Sequence, residues 1–139
     1  MYDIENACVG KICVGFNIGD SSKGVNFVGS PANTRVNSDE SLIAAKRCEE
    51  IVNNSGLEPF SKAKIEGFWR IFLYRESSVT NQALVSFVVT ESSVSMSDEI
   101  KSEILDAFSK PINNRKIVSI SVIYASEISG GYKETDRVE

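Results

Sequence analysis

The feature that most constrains this chain is an aromatic and basic stretch near its middle, residues 57–77. It contains the only tryptophan, in the run Gly-Phe-Trp-Arg-Ile-Phe-Leu-Tyr-Arg-Glu-Ser that begins at Gly67. Aromatic and β-branched residues favour a pleated surface, so the run predicts a central β-strand. Because side chains alternate between the two faces of a strand, the pattern predicts Trp69 and Arg75 on one face and Arg70 on the other.

A strand with aromatic and basic side chains has two interpretations, and both stay open at this point. It can grip single-stranded RNA, because rings stack on bases and cations hold phosphates. It can also be a core strand whose arginines extend their charged ends to water, which is the commoner outcome for a strand taken alone. In the first interpretation Trp69 offers a stacking plane, and Arg70, Arg75 and Lys64 offer phosphate contacts.

Length, composition and charge narrow the class of protein. The 139 residues suffice for one domain with one core, and hydrophobic and charged fractions of 42% and 24% are typical of globular proteins. A net charge of −4 supplies no global attraction to nucleic acid or anionic lipid, so an RNA contact has to be local. No apolar run approaches the roughly 20 residues of a membrane helix, and the N-terminus lacks a signal-peptide pattern. We therefore expect an intracellular protein without a membrane contact, in a compartment that the sequence does not specify.

The residues that usually perform chemistry are sparse. There is no histidine, which removes the commonest general base and metal ligand. The cysteines at positions 8, 13 and 48 are an odd, widely spaced set, which predicts a reducing compartment and neither a disulfide framework nor a metal site. No glycine-rich phosphate loop precedes a helix. We expect no catalytic residue, metal or cofactor within these residues, and no S-adenosylmethionine (SAM) binding.

Periodicity and punctuation predict the order β-β-α-β-β-α-β. The first helix is predicted to begin after an N-cap at Asn37 and to end before Gly56, with Cys48 as a core residue. The second is predicted to begin after an N-cap at Ser97 and to stop before Pro111. This order predicts an α+β two-layer sandwich, a mainly antiparallel sheet with two helices. Residues 1–126 are expected to form one domain, followed by a polar tail at 127–139 that looks truncated before a further domain.

The central stretch also resembles a known family. The segments Ser-Gly-Leu-Glu-Pro-Phe at 55–60, Gly-Phe-Trp-Arg at 67–70 and Arg-Glu-Ser at 75–77 are similar to a pattern of eukaryotic tRNA (uracil-5-)-methyltransferases. In that family the pattern is roughly S-x-L-x-x-Y, a short link, then G-[HYF]-W-[KR]-Q-L-T-V-R-T-S. Upstream, Val-Gly-Phe-Asn-Ile-Gly at 14–19 is similar to the family's V-G-F-R-L-G. Ile71 and Leu73 depart from the pattern, because they stand where the family has Gln and Thr.

The resemblance implies that the chain is the central, non-catalytic domain of such an enzyme. The parent would transfer a methyl group from SAM to uracil C5, most simply in tRNA, and its SAM loop, nucleophilic cysteine and glutamate base would lie in a separate catalytic domain. The implied partners are RNA, through the full-length protein, and that methyltransferase domain. Two other hypotheses compete: a free-standing α+β protein-binding or regulatory module without catalytic activity, and a small metal-free enzyme, which the missing histidine disfavours.

Overall fold

A computed structural model describes residues 38–60, 65–91 and 96–126, together with the backbone of three short strands at 16–18, 27–29 and 137–138. Within the described residues, neither helix has the length and apolarity that crossing a membrane requires. The helices are α1 (Asp39–Ser55) and α2 (Asp98–Ser109). The strands are β1 (Phe16–Ile18), β2 (Phe27–Gly29), β3 (Trp69–Ser77), β4 (Gln82–Thr90), β5 (Lys116–Ala125) and β6 (Arg137–Val138).

The strands form a mixed sheet and a separate hairpin. The sheet has the order β3-β4-β5-β6, and β1 pairs antiparallel with β2 outside it. The β3–β4 hairpin and the β5–β6 pair are antiparallel, whereas β4 and β5 are parallel. The parallel pair arises because α2 connects β4 to β5 and returns the chain to the same end of the sheet. The predicted α+β class is therefore confirmed, but the parallel pair and β6, which lies in the predicted tail, were not anticipated.

Both helices pack on one face of the sheet and close a single core layer. Phe108 of α2 lies 6.0 Å from the ring centres of both Phe72 and Phe87, on β3 and β4. From α1, Arg47 donates hydrogen bonds to the carbonyl oxygens of Ala107 and Lys110, at 3.0 and 2.8 Å, which ties the two helices together. The buried cluster takes side chains from both helices, from the three long strands and from the segments that flank α2: Ala44, Cys48, Ile51, Val52, Trp69, Val85, Phe87, Val89, Met96, Ile104, Phe108, Ile112, Val122 and Tyr124.

The helix boundaries confirm most of the sequence predictions and correct one. Gly56 ends α1 in the left-handed conformation at φ 71°, and Ser97 caps α2 as expected. The N-cap of α1 is Ser38, not Asn37, because the Ser38 Oγ accepts the free Ser41 N–H at 3.1 Å. Asn37 itself lies outside the described residues.

A group of polar side chains connects β3, the β3–β4 turn and the start of β5, and we call it the polar clamp. Tyr74 Oη donates to Glu76 Oε2 at 2.9 Å, and Arg115 Nε lies 3.5 Å from the same oxygen. Arg115 also donates to Asn81 Oδ1 at 2.8 Å, which joins the β3–β4 turn to the start of β5. A hydrogen bond from the Ser38 hydroxyl, followed by those from Tyr74 and the nearby Arg115, lowers the pKa of Glu76 below its usual 4.5 although partial burial opposes the shift. Burial, and then the bond to this carboxylate, raises the pKa of Tyr74.

This clamp predicts a specific acid sensitivity. A carboxyl group with a lowered folded-state pKa stabilises the fold at pH values above 4.5, and that contribution is lost as the pH falls through the folded-state pKa. Glu76→Gln should lower the free energy of unfolding at pH 7 by about 0.2–1 kcal/mol. The variant should also lose less free energy of unfolding than the wild type when the pH falls from 6 to 3. Urea unfolding at several pH values measures this, with Glu50→Gln at an exposed position of α1 as the control. The prediction would be contradicted if the free energy of unfolding fell equally in the two variants between pH 6 and pH 3.

Candidate nucleic-acid interface at the start of the central strand

Trp69 lies in the core, not on an RNA-facing surface. Its side chain is 6% exposed, and its ring packs edge-on against Phe68 at 5.0 Å and Phe87 at 6.0 Å between centroids. A base needs an exposed ring face for stacking, and this indole has none. Of the two interpretations of the central strand, the structure shows the core one for Trp69, so its prediction as an RNA-stacking residue was wrong.

A β-bulge at Arg70 explains why simple alternation misplaced the side chains. Trp69 pairs with Val89 and Ile71 pairs with Val88, so Arg70 is an extra residue in β3. An extra residue shifts the alternation by one position. Trp69 therefore faces the helices together with Phe72 and Tyr74, and does not share a face with Arg75.

The indole N–H of Trp69 connects β3 to the end of α1. It donates to Ser55 Oγ at 3.0 Å, where Ser55 is the last residue of the helix. The Ser55 hydroxyl in turn donates to the Val52 carbonyl at 2.7 Å and accepts the Leu57 N–H at 3.2 Å. A buried indole N–H needs such a partner, so one serine side chain satisfies both the helix end and the core tryptophan.

The backbone segments before and after residues 61–64 approach each other closely and are joined by hydrogen bonds. The Phe68 N–H donates to the Glu58 carbonyl and the Phe60 N–H donates to the Trp69 carbonyl, both at 2.7 Å. Between them, Gly67 adopts φ 122°, and a Cβ there would stand 2.2 Å from the Pro59 oxygen. Only glycine fits this position, for reasons of both conformation and space.

Arg70 is held at the surface by its neighbours. Its guanidinium carbon lies 4.2 Å from the centre of the Phe60 ring, a cation–π contact, and its Nε donates to Thr90 Oγ1 at 3.0 Å. Thr90 follows the buried Val89 and so points away from the helices, and its hydroxyl also donates to the Gly67 carbonyl. The bulge therefore places the half-buried Arg70 side chain on the sheet face opposite the helices.

The other predicted basic residues do not gather around Arg70. Arg75 is exposed near the opposite end of β3, about 16 Å along the strand, and pairs with Leu84 on the face away from the helices. Ile71 and Leu73 lie between the two arginines on that face. Lys64 lies outside the described residues. The described site therefore consists of two arginines near opposite ends of β3, with a strip of aliphatic side chains between them.

Phe60 and Thr90 are the residues that sequence reasoning did not select. Phe60 belongs to the motif segment at 55–60, and its aromatic character was a usable signal. Thr90 carried no signal, because its role depends on the register of β4 against β3. Both act by orienting the Arg70 guanidinium.

Among the described residues, no group of three or more His, Cys, Asp or Glu side chains could hold a metal ion. Burial raises the pKa of the Cys48 thiol, which keeps it protonated and therefore a poor nucleophile. Searches against models of protein families, curated proteins and solved structures return no match for this chain.

Gly67→Ala should strongly destabilise the fold, because the added methyl group would overlap the Pro59 carbonyl and the left-handed conformation would be strained. We expect a loss of more than about 3 kcal/mol in the free energy of unfolding. Gly56→Ala is the matched control: it also has positive φ but nothing lies within 4 Å of its Cβ position, so strain alone should cost about 1 kcal/mol. Chemical unfolding measures both, and equal losses would contradict the close approach.

Trp69→Ala should lower the free energy of unfolding by about 3–5 kcal/mol, because it empties a packed core position. Ser55→Ala leaves the indole N–H without its partner and should cost about 1–3 kcal/mol. The two changes should be non-additive, since both remove the same hydrogen bond. A Trp69→Ala protein that melts like the wild type would show instead that the ring is a surface feature.

Proposed function

We propose that this chain is the central, non-catalytic domain of a SAM-dependent RNA uracil-5-methyltransferase, and that it helps to position RNA, most simply tRNA, beside a separate catalytic domain. The observation that carries the proposal is that the residues of the motif form one contact unit. Ser55, Pro59, Gly67 and Trp69 meet at the junction between α1 and β3. These contacts require particular residues at these positions, so the motif is less easily matched by chance than a set of exposed residues would be. This supports the likeness to the family.

Within this proposal Trp69 and Gly67 position Arg70, and Arg70 contacts RNA. The guanidinium is confined between the Phe60 ring and the Thr90 hydroxyl, so it loses little side-chain freedom when it binds a ligand. A planar, permanently charged group of this kind suits a phosphate, and it also offers a plane against which an unstacked base can lie.

Arg75 supplies the second contact. It is exposed on the same sheet face, about 16 Å from Arg70, a distance that corresponds to a few nucleotides of backbone. Because the whole chain carries a net charge of −4, binding through these arginines should be weak and strongly salt-dependent. The catalytic domain of the parent would supply the larger part of the affinity.

One observation favours the second candidate, a free-standing protein-binding module. The strip between the arginines is aliphatic, with Ile71 and Leu73 half-buried and Leu84 36% exposed. Such side chains neither stack on bases nor bind phosphates, and they suit contact with another protein surface. The RNA experiment below separates the two candidates.

Arg75→Ala should weaken binding to an unmodified tRNA transcript and reduce the slope of log affinity against log salt by about one, because one phosphate contact is lost. Arg70→Ala should do the same. Lys46→Ala is the matched control, since it removes an exposed cation from α1 in the helix layer. Fluorescence anisotropy with labelled tRNA between 50 and 200 mM salt measures the binding.

Three outcomes distinguish the candidates. Loss of affinity confined to the two β3 arginines supports the RNA role. An equal loss for Lys46→Ala would indicate non-specific attraction and contradict the assigned surface. A chain that binds no tRNA at 50 mM salt would favour the protein-binding module.

A further inference from the structure

Lys116 is a third cation on the sheet face that carries Arg70 and Arg75, which we call the outer face because both helices pack on the other side. It is exposed at the start of β5, where it pairs with Gln82. The next residue, Ile117, packs against the core on the helix face. Because successive residues of a strand point to opposite faces, Lys116 points to the outer face.

The polar clamp holds Lys116 close to the β3–β4 turn and keeps the nearest carboxylate on the other face. The Lys116 N–H donates to the Asn81 carbonyl oxygen at 2.9 Å, and Arg115 donates to the Asn81 side chain at 2.8 Å. Glu76 is the only acidic residue of β3, β4 and β5, and it lies on the helix face, where Arg115 partly balances its charge. On the outer face, these three strands therefore present cations and no carboxylate.

The exposed part of the outer face lies at the end of the sheet that contains the β3–β4 turn. Arg75 pairs with Leu84, and Leu84 pairs with Ser119, so these three residues form one row across the sheet. Arg75 and Ser119 are exposed in that row, whereas Val88, farther along the same face, is fully buried. Lys116 belongs to the next row toward the turn, so two strand spacings and two residues along the strand separate it from Arg75 by about 12 Å.

The aromatic residues of these strands all lie on the helix face, in the core or packed against it: Trp69, Phe72, Tyr74, Phe87 and Tyr124. Single-stranded RNA is bound chiefly by exposed rings on which its bases stack. Double-helical RNA is bound instead through its phosphates and sugars, because its base faces are not accessible. The outer face of β3, β4 and β5 therefore offers groups for the second mode of binding and lacks the rings for the first.

The positions of the three cations also favour a double helix. Arg70 and Arg75 lie along β3, whereas Lys116 lies two strands away, about 10 Å to the side of that line. A single backbone follows one line of charges, whereas a double helix presents two backbones side by side. We infer that the outer face binds a double-helical stem of the RNA, with Arg75 on one backbone and Lys116 on the other. The inference rests on the proposed RNA role.

Fluorescence anisotropy with two labelled RNAs of equal length tests which form of RNA is bound. One is a 24-nucleotide hairpin with a ten-base-pair stem, and the other is a 24-nucleotide oligouridine, so that the two carry the same number of phosphates. At 50 mM salt the whole chain should bind the hairpin at least tenfold more tightly, because the outer face offers no rings to unpaired bases.

Variants of the outer face test the residues that make the contact. Lys116→Gln should reduce the slope of log affinity for the hairpin against log salt by about one, because one phosphate contact is lost. Ser119→Glu places a carboxylate between Arg75 and Lys116, and it should weaken hairpin binding at least tenfold. Ser102→Glu is the matched control, because it adds the same charge at an exposed position of α2. Circular dichroism confirms that each variant is folded before its binding is compared.

The inference would be overturned if the oligouridine bound as tightly as the hairpin, or if Ser119→Glu and Ser102→Glu caused equal losses of affinity. An unchanged salt slope in Lys116→Gln would overturn it as well. In each of these cases the RNA role of Arg70 and Arg75 would stand, because their own variants test it. A chain that binds neither these RNAs nor the tRNA transcript would instead contradict the proposed function, and this inference with it.

Discussion

The burial of one indole ring organises the centre of this structure. Trp69 fills the space between the end of α1 and the sheet, and its N–H requires a partner that Ser55 provides at 3.0 Å. For the ring to reach the core, the chain must enter β3 close against residues 58–60, which is possible only with glycine at position 67. The bulge at Arg70 then restores the alternation that places Phe72 and Tyr74 in the same core. Helix end, strand entrance and core packing thus depend on one side chain.

The same constraint links structure to the proposed RNA contact. Arg70 is the extra residue of the bulge, so the geometry that buries Trp69 also turns the arginine outward toward Phe60 and Thr90. The residues that carry the family resemblance are mostly structural, and the candidate contact residue lies among them. Because the structural residues of the motif hold Arg70 in place, a protein with a net charge of −4 could still present an ordered cation to a nucleic acid.

The sequence by itself determined the α+β class, the order of the two helices among β3, β4 and β5, and most helix ends, because periodicity, caps and glycines are local signals. Ser97, Gly56 and Pro111 marked boundaries that the structure retains. Only the tertiary structure decided the direction of β5 and the face of Trp69. The direction of β5 depends on how α2 packs. The face on which Trp69 lies depends on the bulge, which lets the start of β3 bond to Glu58 while the strand pairs with Val88 and Val89. The Arg70 contacts with Phe60 and Thr90 followed from that same register. No local pattern encodes a one-residue shift between strands, since it is set by long-range pairing.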